Sequence, residues 1–177
     1  MKNRVFLIVW VVLFVTFAAQ AGHHEAAKEQ VSIGMGLSMD AESKLVYAGS
    51  ASLMTIWQEW IEAHNGRDFD RIAAKNSDKF RVMPSNGQRI VGSDERRALL
   101  EGWIAGSNTT WEIWWMTSNK TDNANCETEK WLSSCNMLTM TDARGMVSRE
   151  FHQADMQFFD GKLTSALISS RENIPAP

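Results

Sequence analysis

The run TWEIWWMTSN at 110–119, followed by WLSSCNMLTMT at 131–141 and MVSREFHQADMQFF at 146–159, decides the fold. In each run apolar and polar side chains largely alternate, and alternation with a period of two is the signature of a strand with two unlike faces. Asp160-Gly161 supplies a two-residue hairpin turn, and LTSALIS at 163–169 follows it as a fourth strand. The chain therefore ends in an antiparallel meander. Strict alternation in the first strand puts Trp111, Ile113 and Trp115 on one face and Glu112, Trp114 and Met116 on the other.

Upstream of the meander the period changes. Leu53, Ile56, Trp57, Trp60, Ile61 and His64 fall at helical spacing and make one apolar stripe, which Asn65-Gly66 ends. Asp68 caps a second, short helix whose Phe69, Ile72 and Ala73 share a face. Residues 80–83 and 89–91 read as two short strands, with the turn at 84–87. Ser93 caps a third helix, and Asp94 and Glu95 suit its positive first turn. The buried face of that helix is Leu99, Leu100, Trp103 and Ile104, and Gly106 stops it. Helices followed by a sheet make an α+β domain, placed at 53–171. Residues 22–52 read as a flexible leader with a short helix at 39–48, and 172–177 as a tail.

Lys2 and Arg4 precede an apolar run, 5–19, in which Thr16 is the one clearly polar member, and Ala19-Gln20-Ala21 has the small-x-small form of a cleavage site. This predicts a signal peptide over 1–21, cut after Ala21, and a periplasmic or secreted protein. The alternative is retention of the run as an anchor, for which it is short. No stable membrane insertion is expected after cleavage. Cleavage would leave 156 of the 177 residues and, by removing Lys2 and Arg4, move the formal charge from −3 to −5. No basic cluster stands out, so a nucleic-acid partner is not expected. In an exported chain Cys126 and Cys135 are expected to form a disulfide. No metal site is expected: two cysteines without a nearby histidine do not hold zinc. His23 and His24 beside the cleavage site read as part of the leader rather than as copper ligands.

The stretch WQEWIEAHNGRDFDRIAA at 57–74, the strand ending IVG at 90–92, the helix opening SDERRALLEGW at 93–103 and the hairpin FFDGKL at 158–163 occur in that order. Together they resemble the nuclear transport factor 2-like superfamily, which includes the SnoaL-like polyketide cyclases. Asn65 and Asp68 echo that family's helix-ending Asn-x-x-Asp, Gly92 its glycine before the third helix, and Asp160 to Leu163 its turn. The resemblance covers about 53–171. It implies a cone: a curved antiparallel sheet wrapped around about three helices, cystatin-like, with a pocket at the open end. The same shell serves isomerases, dehydratases, epoxide hydrolases, cyclases, binding proteins and interaction domains, so fold alone does not assign function. The last strand often ends in an aspartate in that family. Here it ends Ser169, Ser170, Arg171.

Three functions follow as expectations. The first is an exported binder of a small apolar or aromatic molecule, held by Trp57, Trp60, Trp103, Trp111 and Trp115 with polar help from His64 and His152. The second is a cofactor-independent proton-transfer enzyme (an isomerase, dehydratase or cyclase), with His152 as base and Glu150 or His64 assisting. The plainer reading of His152 is a residue on a solvated strand face, and of His64 a helix-end histidine favoured by the C-terminal dipole. The third is an interaction domain, with a homodimer formed through the outer sheet face around Trp114.

Overall fold

The computed structural model describes residues 30–37, 43–122 and 128–172. Eleven elements are present among them: β1 (Ser32–Leu37), β2 (Ser43–Ala48), α1 (Ala51–Asn65), α2 (Phe69–Lys75), β3 (Asn76–Met83), β4 (Ile90–Val91), α3 (Ser93–Ile104), β5 (Ser107–Asp122), β6 (Thr128–Asp142), β7 (Val147–Phe159) and β8 (Lys162–Glu172). The strands form one curved, unclosed sheet in the order β1-β2-β5-β6-β7-β8-β3-β4. All pairings are antiparallel except β3 with β8. The helices pack against this sheet and the core lies between them. The fold is α+β, as the sequence predicts.

The meander forms for the reasons read from the sequence. Asp160 and Gly161 both take positive φ, 48° and 70°, the backbone of a tight hairpin whose twist matches its strands. On the inner face β6 buries Leu132, Ser134, Asn136 and Leu138, β7 buries Ala154, Met156 and Phe158, and β8 buries Leu163 and Ala166. Helix α1 lays the predicted stripe onto this face: Leu53, Trp57, Trp60, Ile61 and His64 are all at most 5% exposed. A buried tryptophan removes roughly 200 Å² from water, worth roughly 5 kcal/mol as an upper estimate. Trp57 and Trp60 alone thus account for much of the helix's adhesion.

Four expectations need correction. The helix expected at 39–48 is not formed over the described part of that segment; 43–48 is strand β2, whose Tyr47 and Ala48 pair with Lys120 and Asn119 of β5. The free edge of β5 captures a segment carrying Val46 and Tyr47, residue types that fit a pleated surface better than a lone helical turn. With β1 paired to β2, the sheet begins well before Leu53. The cap of α3 is Gly92 at φ 87° rather than Ser93, whose Oγ instead accepts a hydrogen bond from Asn76 Nδ2 (3.1 Å). The alternation in β5 breaks between Ile113 and Trp115, where the register with β6 shifts: Ile113 faces Asn136, and Trp115 faces Cys135. Trp114 is the extra residue of a β-bulge. The bulge leaves Trp111, Ile113 and Met116 inside and turns both Trp114 and Trp115 outward, 56% and 47% exposed.

Cys126 and the segments 1–29 and 173–177 lie outside the described residues, and with them the disulfide, signal-peptide and cleavage-site expectations. No helix among the described residues is long and apolar enough to cross a membrane.

The C-terminal end of α1 is tied to the sheet by one side chain. Asn65 Oδ1 accepts from the Trp111 backbone N–H, and Asn65 Nδ2 donates to the Trp111 carbonyl, both at 2.8 Å. Strand β2 meets β5 only near 119–120, so among the described residues the edge of β5 at Trp111 has no neighbouring strand. The Asn65 amide stands in for one. Replacing Asn65 with Ala orphans a strand donor and acceptor in a part-buried place. Urea unfolding of Asn65→Ala should show a loss of about 2 kcal/mol. A loss below about 0.5 kcal/mol would mean water replaces the amide without penalty.

Candidate functional site

A cavity of about 310 Å³ opens between the helices and the inner sheet face. Helix α1 contributes Trp57, Trp60, Ile61 and His64, and α3 contributes Arg96, Leu99 and Trp103. The sheet contributes Trp111, Asn136, Glu150, His152, Ala154 and Ile168, and the turn after β3 closes the rim with Pro84, Ser85 and Asn86.

The aromatic wall is continuous. Trp57 stacks on Trp60 with ring centres 4.7 Å apart, and Trp60 meets His64 at 3.7 Å. His64 meets Trp111 edge-on at 5.5 Å, and Trp111 meets Trp103 edge-on at 5.6 Å. The two buried indole N–H groups find acceptors, as buried polar groups must. Trp57 Nε1 donates to Ser134 Oγ (3.1 Å), and Trp60 Nε1 donates to Asn76 Oδ1 (3.3 Å). These bonds fix the ring planes, so the cavity wall is set by polar anchors behind it.

On the opposite wall, side chains at 150, 152 and 154 of β7 point inward together, two residues apart on one strand face. His152 Nε2 lies 3.1 Å from Glu150 Oε2. The pair is only partly exposed, with 16% and 21% of the two side chains accessible. With Nε2–H donating to the carboxylate, Nδ1 is the ring nitrogen that carries the lone pair. This is the arrangement of a base with an orienting acid. At the end of the last strand, Ser170 lies across the β7–β8 pairing from His152; its Oγ is 2.7 Å from Ser85 Oγ and ties the strand to the rim turn.

His64 is a different kind of histidine. It is 1% exposed, and its Nδ1–H donates to the Trp60 carbonyl at 2.8 Å. Burial, reinforced by the nearby Arg96 cation, pushes its pKa down to about 3. It is neutral at ordinary pH and has no proton to give as an acid. Its Nε2 is buried without a partner among the described residues.

Of the residues named from sequence, Trp57, Trp60, Trp103, Trp111, His64, Glu150 and His152 all line the cavity. Trp115 does not. The bulge at Trp114 sends it to the outer face, where Trp114 packs edge-on against Phe151 at 4.6 Å. Sequence reading missed Arg96. It lies three and four residues before Leu99 and Leu100, on the apolar stripe of α3, and is 7% exposed. An arginine at helical spacing with a buried face was the available signal. Asn136, which accepts a long hydrogen bond from Trp57 Nε1 (3.4 Å), had none, because nothing in its strand marks it from its neighbours.

No family model and no curated protein matches the chain. Solved structures do. An epoxide hydrolase of Mycobacterium tuberculosis superimposes with a TM-score of 0.56 at 14% identity, covering 69% of this chain and 84% of that one. The chain has the nuclear transport factor 2-like fold. A nuclear transport factor 2-like protein of unknown function from Burkholderia pseudomallei gives 0.55 at 13% identity over 69% and 92% of the two chains. A ketosteroid isomerase-like protein of Kribbella flavida gives 0.54 at 13% identity over 73% and 85%. At these identities the likeness is one of fold, and the chemistry lies in this chain's own cavity.

The depressed pKa of His64 sets a pH dependence. The unfolded chain binds a proton at His64 below about 6.5, whereas the folded chain does not until about 3. The unfolded state then holds more protons, so stability falls as the pH falls through that window. The expected slope from this group is about 1.4 kcal/mol per pH unit below pH 6.5. Unfolding free energies measured between pH 7.5 and 4.5 should show this slope in the wild type and lose it in His64→Gln. Equal slopes in the two proteins would mean that His64 is protonated in the fold.

Proposed function

We propose that this protein is an exported carrier of, or enzyme for, a small, mainly apolar molecule of aromatic size, held in the cavity between α1, α3 and the sheet. The observation that carries the reading is the cavity's composition: a continuous wall of four tryptophans and a histidine facing a few polar groups, which is how small-molecule sites are built. Export rests on the basic start, the apolar run at 5–19 and the small residues at Ala19 and Ala21.

The His152–Glu150 contact favours the enzymatic form of this proposal. A proton leaving substrate would pass to His152 Nδ1, the Glu150 carboxylate would stabilise the imidazolium, and the same proton would return to another atom of the substrate. Isomerisation, dehydration and ring closure all fit that scheme without a cofactor. The structural neighbours include proteins described as isomerases, cyclases and epoxide hydrolases, which is compatible with this reading.

Native mass spectrometry of the protein isolated from its own cells should detect a retained small molecule. Trp103, at the rim and 39% exposed, can be changed with little cost to the core. Trp103→Ala should lose most of that molecule while melting within a few degrees of the wild type. Retention at wild-type level in Trp103→Ala would place the ligand elsewhere. Once the molecule is known, His152→Ala should lower its turnover by a factor of roughly 100 or more with binding kept. Unchanged turnover would leave the carrier reading alone.

A further inference from the structure

Arg96 has no use in the scheme above, and its surroundings are unusual. Its side chain lines the cavity and is 7% exposed. Among the described residues it forms no ion pair, and its Nε is buried without a hydrogen-bond partner. The neighbouring arginine on the same helix, Arg97, is by contrast paired with both Asp70 and Glu101 at the surface. His64 cannot balance Arg96, since a histidine is either neutral or a second cation. Glu150, the carboxylate that also lines the cavity, is hydrogen-bonded to His152 and lies beyond ion-pair distance of Arg96. A lone buried cation is costly, and proteins rarely keep one that nothing neutralises. Burial lowers even the guanidinium pKa, to about 10, which leaves Arg96 charged at neutral pH.

The cavity therefore presents a fixed, planar, unpaired guanidinium inside an aromatic chamber. A guanidinium matches a carboxylate by two parallel N–H···O bonds, and the aromatic wall matches an apolar body. We propose that the ligand is a small organic monocarboxylate with an aromatic or alicyclic body, its carboxylate anchored on Arg96 and its ring against Trp60, Trp103 and Trp111. This rests on the reading of the cavity as a small-molecule site and deepens it by naming the ligand class. One positive charge selects one negative charge. A dianion or a second acid group would meet the tryptophan wall or Glu150 and be disfavoured. Anchoring at Arg96 also places the ligand's body between α3 and β7, on the side where His152 lines the same cavity.

The test uses the full chain and three acid–amide pairs: benzoate with benzamide, phenylacetate with phenylacetamide, and 2-naphthoate with 2-naphthamide. Each pair has one shape and differs by a charge. Titration is followed by quenching of the cavity tryptophans. The wild type should bind at least one acid roughly 10- to 100-fold more tightly than its amide. Arg96→Met should erase that preference, with amide affinity kept. Arg96→Met should also melt higher than the wild type, because an apolar side chain of similar length replaces an uncompensated buried charge. A residue kept for folding would give the opposite shift. Arg96→Lys, which keeps the charge and loses the fork, should retain a reduced preference and serves if the methionine variant does not fold. Equal affinity for acid and amide in the wild type overturns the carboxylate inference and leaves the aromatic pocket standing. Acid preference surviving in Arg96→Met overturns the assignment to Arg96. If neither member of any pair binds, the small-molecule reading fails and this inference falls with it.

Discussion

The position of α1 against the sheet is the constraint on which the rest depends, and polar bonds set it as much as burial does. Hydrophobic contact is non-directional and would tolerate a range of helix rotations. The indole N–H groups of Trp57 and Trp60 would not, because each needs an acceptor once buried. Ser134 and Asn76 provide those acceptors, and the Asn65 amide pairs with both backbone groups of Trp111. Three directional ties at successive turns leave one rotation and one height for the helix. The cavity is what remains between a helix held in this way and a sheet that curves away from it. Its wall is rigid because the same bonds that place the helix also fix the rings facing the cavity.

The bulge at Trp114 divides the tryptophans between two environments. Without it, Trp115 would follow Trp111 and Ile113 into the interior, where His64 and Trp103 already pack against Trp111. An extra residue in one strand reverses the facing of everything beyond it. Here it brings the thinner side chains of Met116 and Ser118 inward and leaves two indoles outside. A cavity survives because the sheet does not fill it. The outer face carries the cost: Trp114, edge-on against Phe151, and Trp115 are both left largely exposed there.

Polar accounting separates residues that hold the fold from residues held for something else. Asn65, Asn76 and Ser134 are buried or part-buried, and each is satisfied by partners in the structure. They are structural. Arg96 and His64 are equally buried, and each keeps an unpartnered nitrogen. His64 tolerates this by staying neutral, with its other nitrogen bonded to the Trp60 carbonyl. Arg96 stays charged at ordinary pH and, among the described residues, has no acid within ion-pair distance. The His152–Glu150 pair lies between these extremes, bonded to itself and open to the cavity. Charge in the chamber is thus concentrated on two walls, with aromatic surface between.

The sequence by itself determined the elements whose periods are long and whose ends are marked. The stripe from Leu53 to His64, the cap at Asp68, the Asp160-Gly161 hairpin and the four strands of the meander follow from local rules of facing, capping and turn geometry. So does the shared side of Glu150 and His152, because two residues apart on an unbulged strand point the same way; that this side faces the cavity came from the packing of the helices. Tertiary structure decided the rest. Whether 43–48 is helix or strand depended on the free edge of β5, which no local pattern reveals. The outward turn of Trp115 depended on a register shift against β6. Whether Arg96 is solvated or enclosed depended on how α3 sits over the sheet, since an arginine on an apolar stripe can often reach water along its stem. In each case the deciding contact comes from a segment distant in sequence, and a local reading has no access to it.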